Sequence, residues 1–286
     1  MPLLVRLAYS PSDGHSIFLK TLFSEVEALF AVLEIENERE SLFDRFFDLF
    51  KSPVVEKTKV EVARALPFYV IKTKNFRGAL PWKEIENAAG ALRSRMILPA
   101  ETEIGAFSML SRFEPAVLPK RLLFNSAVEA IEKMKIDPRE VSVTLIDENG
   151  YLLDLAEKLV FLAAQIRIVT NCVAAYEQLG NLIFQRFGLS VVVSGTVDNN
   201  VLSSTFIISD SAVCVPLIFG GVLFTNEQKR MMNAAVLCPK GVTLPPEFEK
   251  LSPNGVDRLS FASALFELCG AEELGKLGFD ELVSVS

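Results

Sequence analysis

Between Val141 and Asp210 the chain alternates, at nearly even spacing, between short β-branched runs and longer amphipathic ones. Residues 141–146 (VSVTLI) read as a strand, and residues 151–164 as a helix with Leu152, Leu155, Leu159 and Leu162 on one stripe. Residues 166–169 read as a second strand, and 173–187 as a second helix that Gly188 is placed to end. Residues 189–193 read as a third strand running into Ser194-Gly195, and 205–208 as a fourth. Strands separated by helix-length crossovers pair in parallel, because a right-handed crossover returns to the sheet only that way. A parallel sheet is covered on both faces, which accounts for part of the mean hydropathy of +0.32. A hydrophobic dimer interface would account for the remainder.

Upstream the pattern is mixed. Residues 3–7 suit a short strand. Residues 16–33 place Ile17, Phe18, Leu22, Phe23, Val26, Leu29 and Phe30 at helical spacing, and 41–50 repeat the pattern until Pro53 stops it. Residues 60–66 are expected as a helix ended by Pro67, 68–71 as a strand, 81–92 as a helix opened by Pro81, and 96–98 as a strand. Pro115 and Pro119 mark a loop, and with it the boundary between an N-terminal α+β domain, residues 1–118, and a second domain, residues 119–286. Residues 121–124 suit a strand. Ser126, with Glu129 three residues on, has the form of a capping box for a helix through Met134, which Asp137-Pro138 breaks. Past Asp210, residues 217–224 carry the pair Gly220-Gly221, 234–237 suit another strand, and 259–268 suit a helix with Asp257 nearby as a cap.

If the four strands after residue 140 are parallel, their C-terminal ends share one edge. Ligands of open α/β sheets bind outside that edge, near the switch in strand order. The residues delivered there are Asp147, Glu148, Asn149 and Gly150 after the first strand and Asn171 after the second. Gly195 and Thr196 follow the third, and Ser209, Asp210 and Ser211 the fourth. The runs VSVTLIDENGYLLDLAEKL, IRIVTN, LSVVVSG and STFIISD resemble the NAD(P)-binding Rossmann domain, most nearly that of the shikimate dehydrogenase and glutamyl-tRNA reductase type, over about a quarter of the chain. The resemblance implies an α/β fold, a three-layer Rossmann-like parallel sheet preceded by the smaller α+β domain. It also implies a diphosphate seated at a helix N-terminus over a G-x-G-x-x-G/A loop.

This chain departs from that loop. In IDENGYLL only Gly150 remains of the glycines, and Asp147 and Glu148 bring negative charge to a site built for an anion. Two unit charges about 4 Å apart repel by roughly 1 kcal/mol in water and roughly 4 kcal/mol where partly shielded. At the end of the second strand, Thr170-Asn171-Cys172 offers Asn171 to a ribose. It lacks both the acid of the NAD type and the arginine of the NADP type. Asp147 and Glu148 also suit capping of the following helix, where acids favour the positive end of the dipole. A third arrangement has Asp147, Glu148 and Asp210 converging on a cation such as Mg²⁺ or on an amine.

Charge and composition exclude other classes. A net charge of −7 disfavours nucleic acid as a partner. The most apolar run, residues 212–224, contains Pro216, Gly220 and Gly221 and is too short to cross a membrane as a helix. The opening MPLLVRLAYSPSDG lacks the apolar region of a secretion signal, so a cytoplasmic location is expected. Cys172, Cys214, Cys238 and Cys269 have neither metal-knuckle nor redox-motif spacing; Cys172, ahead of a helix, is the best candidate for a reactive thiol, with a buried thiol the plainer reading. His15 is the only histidine and no GxSxG elbow accompanies it. Lys72, Lys74, Arg77, Lys83, Arg93 and Arg95 surround the only tryptophan, Trp82, either as an anion-binding wall or as a solvated face.

The function expected from these residues is that of a Rossmann-derived protein with a degenerate phosphate loop, binding a small molecule or a protein partner in an inter-domain cleft without hydride transfer and without a resident cofactor. The alternative is an NAD(P)-dependent oxidoreductase, in which Asn149 and Gly150 contact phosphate, Asn171 the ribose, and Thr196 or Ser209 the nicotinamide side. A third reading is a structural homodimer subunit. The sequence leaves open whether the protein is an enzyme.

Overall fold

The computed structural model describes residues 28–36, 52–62, 66–75, 79–197, 203–210, 219–228, 230–231 and 233–285. The strand expected at 3–7, the helix at 41–50 and residues 16–27 of the helix expected at 16–33 lie outside them.

The N-terminal part forms a four-stranded sheet from β1 (Ala31–Glu36), β2 (Val55–Val62), β3 (Leu66–Lys74) and β4 (Met96–Ile97), in the order β2-β3-β1-β4. β1 runs parallel to β3 and β4, and β2 antiparallel to β3. Helix α1 (Trp82–Ala89) covers it through Ile85. Two expectations fail here. Ala31, Val32 and Leu33, placed at the end of a helix, are fully buried in strand β1. Of residues 60–66, expected as a helix, 60–62 end strand β2 and 66 begins strand β3, and 63–65 lie outside the described residues. Val60 sits opposite Phe68 in that hairpin, so pairing with an apolar neighbour strand overrides local spacing.

Helix α2 (Leu118–Met134) runs unbroken through residues 121–124, which are therefore helical and not a strand. Ser126 is mid-helix and caps nothing; its Oγ accepts from the Phe279 N–H at 2.7 Å. The real cap comes from afar. Val117 has no polar side chain to offer, and one Glu267 carboxylate oxygen accepts from the N–H groups of Ala116, Val117 and Leu118 at 3.1, 2.8 and 3.0 Å. That carboxylate also compensates for Lys120 and Arg121, whose positive charges oppose the dipole in the first turn. Glu267→Ala should lower the unfolding free energy by about 2 kcal/mol. The check is a fall in urea midpoint at unchanged slope, with Glu267→Gln recovering part of the loss.

The remainder is built on seven strands: β5 (Ser142–Ile146), β6 (Gln165–Val169), β7 (Val191–Ser194), β8 (Phe206–Ser209), β9 (Val222–Phe224), β10 (Ala235–Lys240) and β11 (Glu281–Ser284). Their order is β11-β10-β9-β8-β5-β6-β7, with only β11 antiparallel to its neighbour. Counted from β5, the six parallel strands stand 3-2-1-4-5-6, the doubly wound order of a dinucleotide-binding fold, with its switch point between β5 and β8. β5 is buried along its whole length, as a central parallel strand must be. Helix α3 (Val173–Phe187) ends at Gly188, whose φ of 70° suits glycine and whose N–H reaches the Phe184 carbonyl at 2.9 Å.

Two short helices follow β10, α4 (Pro246–Glu249) and α5 (Arg258–Glu267), the latter capped by Asp257 through the Ser260 N–H at 2.8 Å. The first sheet leans on α5. Phe30 and Phe68 stack at 5.0 Å, and both meet Phe261 edge-on, at 6.2 and 5.5 Å. One buried cluster joins Val32, Val70 and Ile97 to Leu122 and Leu265, so the N-terminal sheet and the C-terminal helices share a core.

Candidate ligand site at the sheet edge

The register brings the ends of the central strands level. Ile146 pairs with Val169 and Ser209, and Val169 with Ser194, so Asp147, Thr170, Gly195 and Asp210 leave the edge together. Above β5, β6 and β7 lies a cavity of about 280 Å³. It is lined by the apolar Ile146, Val169 and Val197 and by Glu148, Thr170, Asn171, Gly195 and Thr196. Four of the ten residues anticipated at this edge, Glu148, Asn171, Gly195 and Thr196, therefore line one cavity. Asp147, Asn149, Gly150, Ser209 and Asp210 do not, and Ser211 lies outside the described residues.

Asp147 has turned inward. It is 2% exposed, and its carboxylate accepts from the Tyr151 N–H at 3.1 Å, the Leu152 N–H at 2.8 Å and the Tyr176 hydroxyl at 2.6 Å. The first two are the donors that, in a dinucleotide-binding loop, would face the diphosphate. The carboxylate is therefore turned into the protein, where the sequence suggested repulsion at the mouth of the loop. Gly150 completes the turn with a φ of +74°, its N–H bonded to the Asp147 carbonyl at 3.3 Å. A side chain there would meet the Cys172 sulfur at 3.0 Å. Asn149 is exposed beside it.

The segment after this turn is not the helix expected at residues 151–164. It is a series of turns followed by a 3₁₀ helix, Ala156–Phe161. The cause is visible in its anchors. Asp147 draws back the first two N–H groups, and Arg121 of α2 clamps Asp154 with two bonds of 2.8 and 2.7 Å while reaching the Tyr151 carbonyl at 3.3 Å. The Arg121 guanidinium holds the Asp154 carboxyl below its usual range. With no α-helix starting here, the aligned dipole that assists diphosphate binding is missing as well.

Asp210 also faces elsewhere. Its carboxylate takes the Asn226 amide at 2.6 Å and Lys120 Nζ at 3.4 Å, and Lys120 lies 5.3 Å from the centre of the Tyr151 ring. Two of the three carboxylates of the supposed cation site are thus engaged apart from one another, and the fold does not form that site. Ser209 is buried at the end of β8. The Cys172 N–H bonds to Thr170 Oγ1 at 3.0 Å, and the half-buried residue does not line the cavity. Of the basic stretch, Lys72 pairs with Glu34 at 3.3 Å, Arg93 reaches the Met109 sulfur, and Trp82 packs tightly beneath Gly105.

Sequence reasoning missed Tyr176, Arg121, Asp154 and Lys120. The one readable hint was a tyrosine four residues after Cys172, on the buried stripe of α3 with Gly180 and Ile183. A second cavity, of about 490 Å³, lies between α2, the ends of β9 and β10 and the start of α5. Its charged residues are spoken for: Asp257 by Ser260, Asp280 by the Thr243 N–H, Arg258 by Glu249 at 2.6 Å.

Burial, and then the bond to Asp147, raise the Tyr176 hydroxyl above its ordinary 10.0. Burial pushes the Cys269 thiol from 9.0 up to about 12. Each group stays protonated in the fold after the unfolded chain has lost its proton, so the stability these two groups contribute is full well below pH 9 and falls as pH rises through 9 and 10. Urea unfolding at about pH 8, 9.5 and 11 should show this fall. Cys269→Ala should flatten its first part.

No family model matches this chain, and no curated protein does. Among solved structures it is similar to a shikimate dehydrogenase in complex with NADP⁺, at 16% identity over 86% of this chain and 93% of that one, with a TM-score of 0.29. It is similar to the quinate dehydrogenase from Corynebacterium glutamicum in complex with NAD, at 8% identity over 68% and 79%, TM-score 0.27. It is also similar to the L-tryptophan dehydrogenase from Nostoc punctiforme, at 11% identity over 87% and 78%, TM-score 0.31. The strand order defines the class: a Rossmann-like α/β protein with a smaller second sheet. No helix among the described residues is long and apolar enough to cross a membrane.

Proposed function

We propose that this protein binds a small ligand at the C-terminal edge of its parallel sheet and carries out no hydride transfer there. The observation that supports this is the Asp147 carboxylate, which takes the main-chain donors a diphosphate would need. The cavity beside it suggests the ligand's chemistry. Glu148, Asn171 and Thr196 line it together with the apolar Ile146, Val169 and Val197, and neither lysine nor arginine is among the described lining residues. That favours a neutral or cationic molecule with hydroxyl or amine donors over a phosphorylated one. At about 280 Å³ the cavity suits one ring-sized group, below the usual range for larger ligands.

A second reading, an NAD(P)-dependent oxidoreductase, is favoured by the 3-2-1-4-5-6 strand order, since folds of this order hold dinucleotides over this edge. It would use Asn171 for the ribose and rearrange residues 147–150 to admit phosphate.

Thermal melting separates the two. NAD⁺, NADH, NADP⁺ and NADPH at millimolar concentration should leave the midpoint unchanged, whereas a ligand present at about 100 times its dissociation constant stabilises by roughly 2.7 kcal/mol. A clear shift with any of the four dinucleotides would overturn the first reading and establish binding for the second. Unphosphorylated ribose, adenosine and polyamines are the probes to run beside them, and Glu148→Ala should abolish any shift they give.

A further inference from the structure

We infer that the open edge of the parallel sheet, with the end of α3 beside it, is a docking face for a second copy of this chain. Among the described strands β7 is the last on its side of the sheet, and its sequence, VVVS, has neither charge nor proline. Edge strands are normally guarded by lysine, proline, a bulge or a covering segment, because their unpaired main-chain groups template another strand. Val192 is 57% exposed on this edge. On the other face of the strand lies α3: a Cβ on Gly180 would stand 3.5 Å from that of Val191, and Phe184, one turn further along that flank, is also 57% exposed. At the end of α3, Phe187 meets Phe161 edge to face at 5.7 Å, and the two residues are 43% and 67% exposed.

The three rings expose roughly 300 Å² between them, a patch of the size that marks interaction sites. With Val192 and the strand's main chain, the face is on the order of the ~500 Å² per partner that a specific contact needs. Charge points to the occupant. The chain carries −7 overall, so two copies repel across most of their surfaces. Residues 173–196 hold one acid, Glu177, and one base, Arg186, and so balance to zero. Here a like-charged copy meets no repulsion, and an oppositely charged partner would find no attraction. A strand edge is also complementary to itself about a two-fold axis: β7 laid antiparallel to its mate joins the two sheets into one.

Sedimentation equilibrium from roughly 1 to roughly 100 μM tests this. The chain of 31.6 kDa should approach twice that mass as concentration rises. Val192→Lys and Phe184→Glu, both at exposed positions, should each weaken the dimer at least ~tenfold while leaving far-ultraviolet circular dichroism unchanged. Val54→Lys, 62% exposed beside the other sheet, should leave it intact. Should one edge variant misfold, the other decides. A chain that stays at 31.6 kDa throughout overturns the inference. So does a dimer that neither edge substitution weakens.

Discussion

Asp147→Ala should destabilise the protein by roughly 3–5 kcal/mol, as large an effect as any single polar substitution here will produce. The carboxylate is held by two main-chain N–H groups and one phenol, and its removal leaves the fully buried Tyr176 hydroxyl and the Leu152 N–H without an acceptor. Hydrogen bonds to a charged acceptor contribute about 1.5–3 kcal/mol each, and an orphaned buried donor costs about 1–3 kcal/mol. Tyr176→Phe, which deletes one donor and keeps the charge, should cost less, about 1–2 kcal/mol. The informative measurement is urea unfolding with and without inorganic phosphate or diphosphate. The alanine variant exposes an anion position flanked by main-chain donors, so phosphate should recover part of its stability and leave the parent unaffected. A variant as stable as the parent, or one blind to phosphate, would show that the carboxylate does not stand in for a bound anion.

Phe261→Ala should cost a comparable amount, about 3–5 kcal/mol, by opening a cavity in a fully buried core. The ring is the edge-on partner of both Phe30 and Phe68, so about 0.5–1.5 kcal/mol of aromatic pairing disappears with each of these two ring pairs. Its position makes the result diagnostic of architecture. Phe68 belongs to the first sheet, Phe30 directly precedes its strand β1, and Phe261 belongs to a helix far along the chain, so the substitution strikes the core that both halves share. Parent and variant should each unfold in a single transition by circular dichroism, with tryptophan fluorescence from Trp82 coinciding. Two separated transitions in the parent would mean that the shared core does not couple the halves.

These outcomes bear on how far the fold was legible. β5, β6, α3 and β8 stood in the sequence where local signals and tertiary demand agree: β-branched runs for buried parallel strands, helical spacing between them, and Gly188 where the chain turns left-handed. The α5 cap at Asp257 was legible for the same reason, its donor lying three residues away. Illegible were the elements whose determinants are remote. The start of α2 could not be read because its cap is Glu267, 150 residues on from Val117, while the local decoy Ser126-Glu129 satisfied the pattern without the role. The helix expected at 151–164 failed because Asp147 and Arg121 hold its first turn open. At the edge itself, strand register delivered Glu148, Asn171, Gly195 and Thr196 as topology requires. The direction a side chain takes from that edge is a matter of partners, and neither Tyr176 for Asp147 nor Lys120 for Asp210 is signalled by spacing.

The bond between Glu267 and the head of α2 also sets an order on synthesis. A chain emerging from the ribosome presents Leu118–Met134 long before the acid that satisfies its leading amides has been translated. Until α5 arrives and brings Phe261 to Phe30 and Phe68, the nascent amino half must wait with an apolar sheet face uncovered. Expression of residues 1–250 alone would freeze the molecule in that waiting state, and chaperone capture is the fate to expect for it.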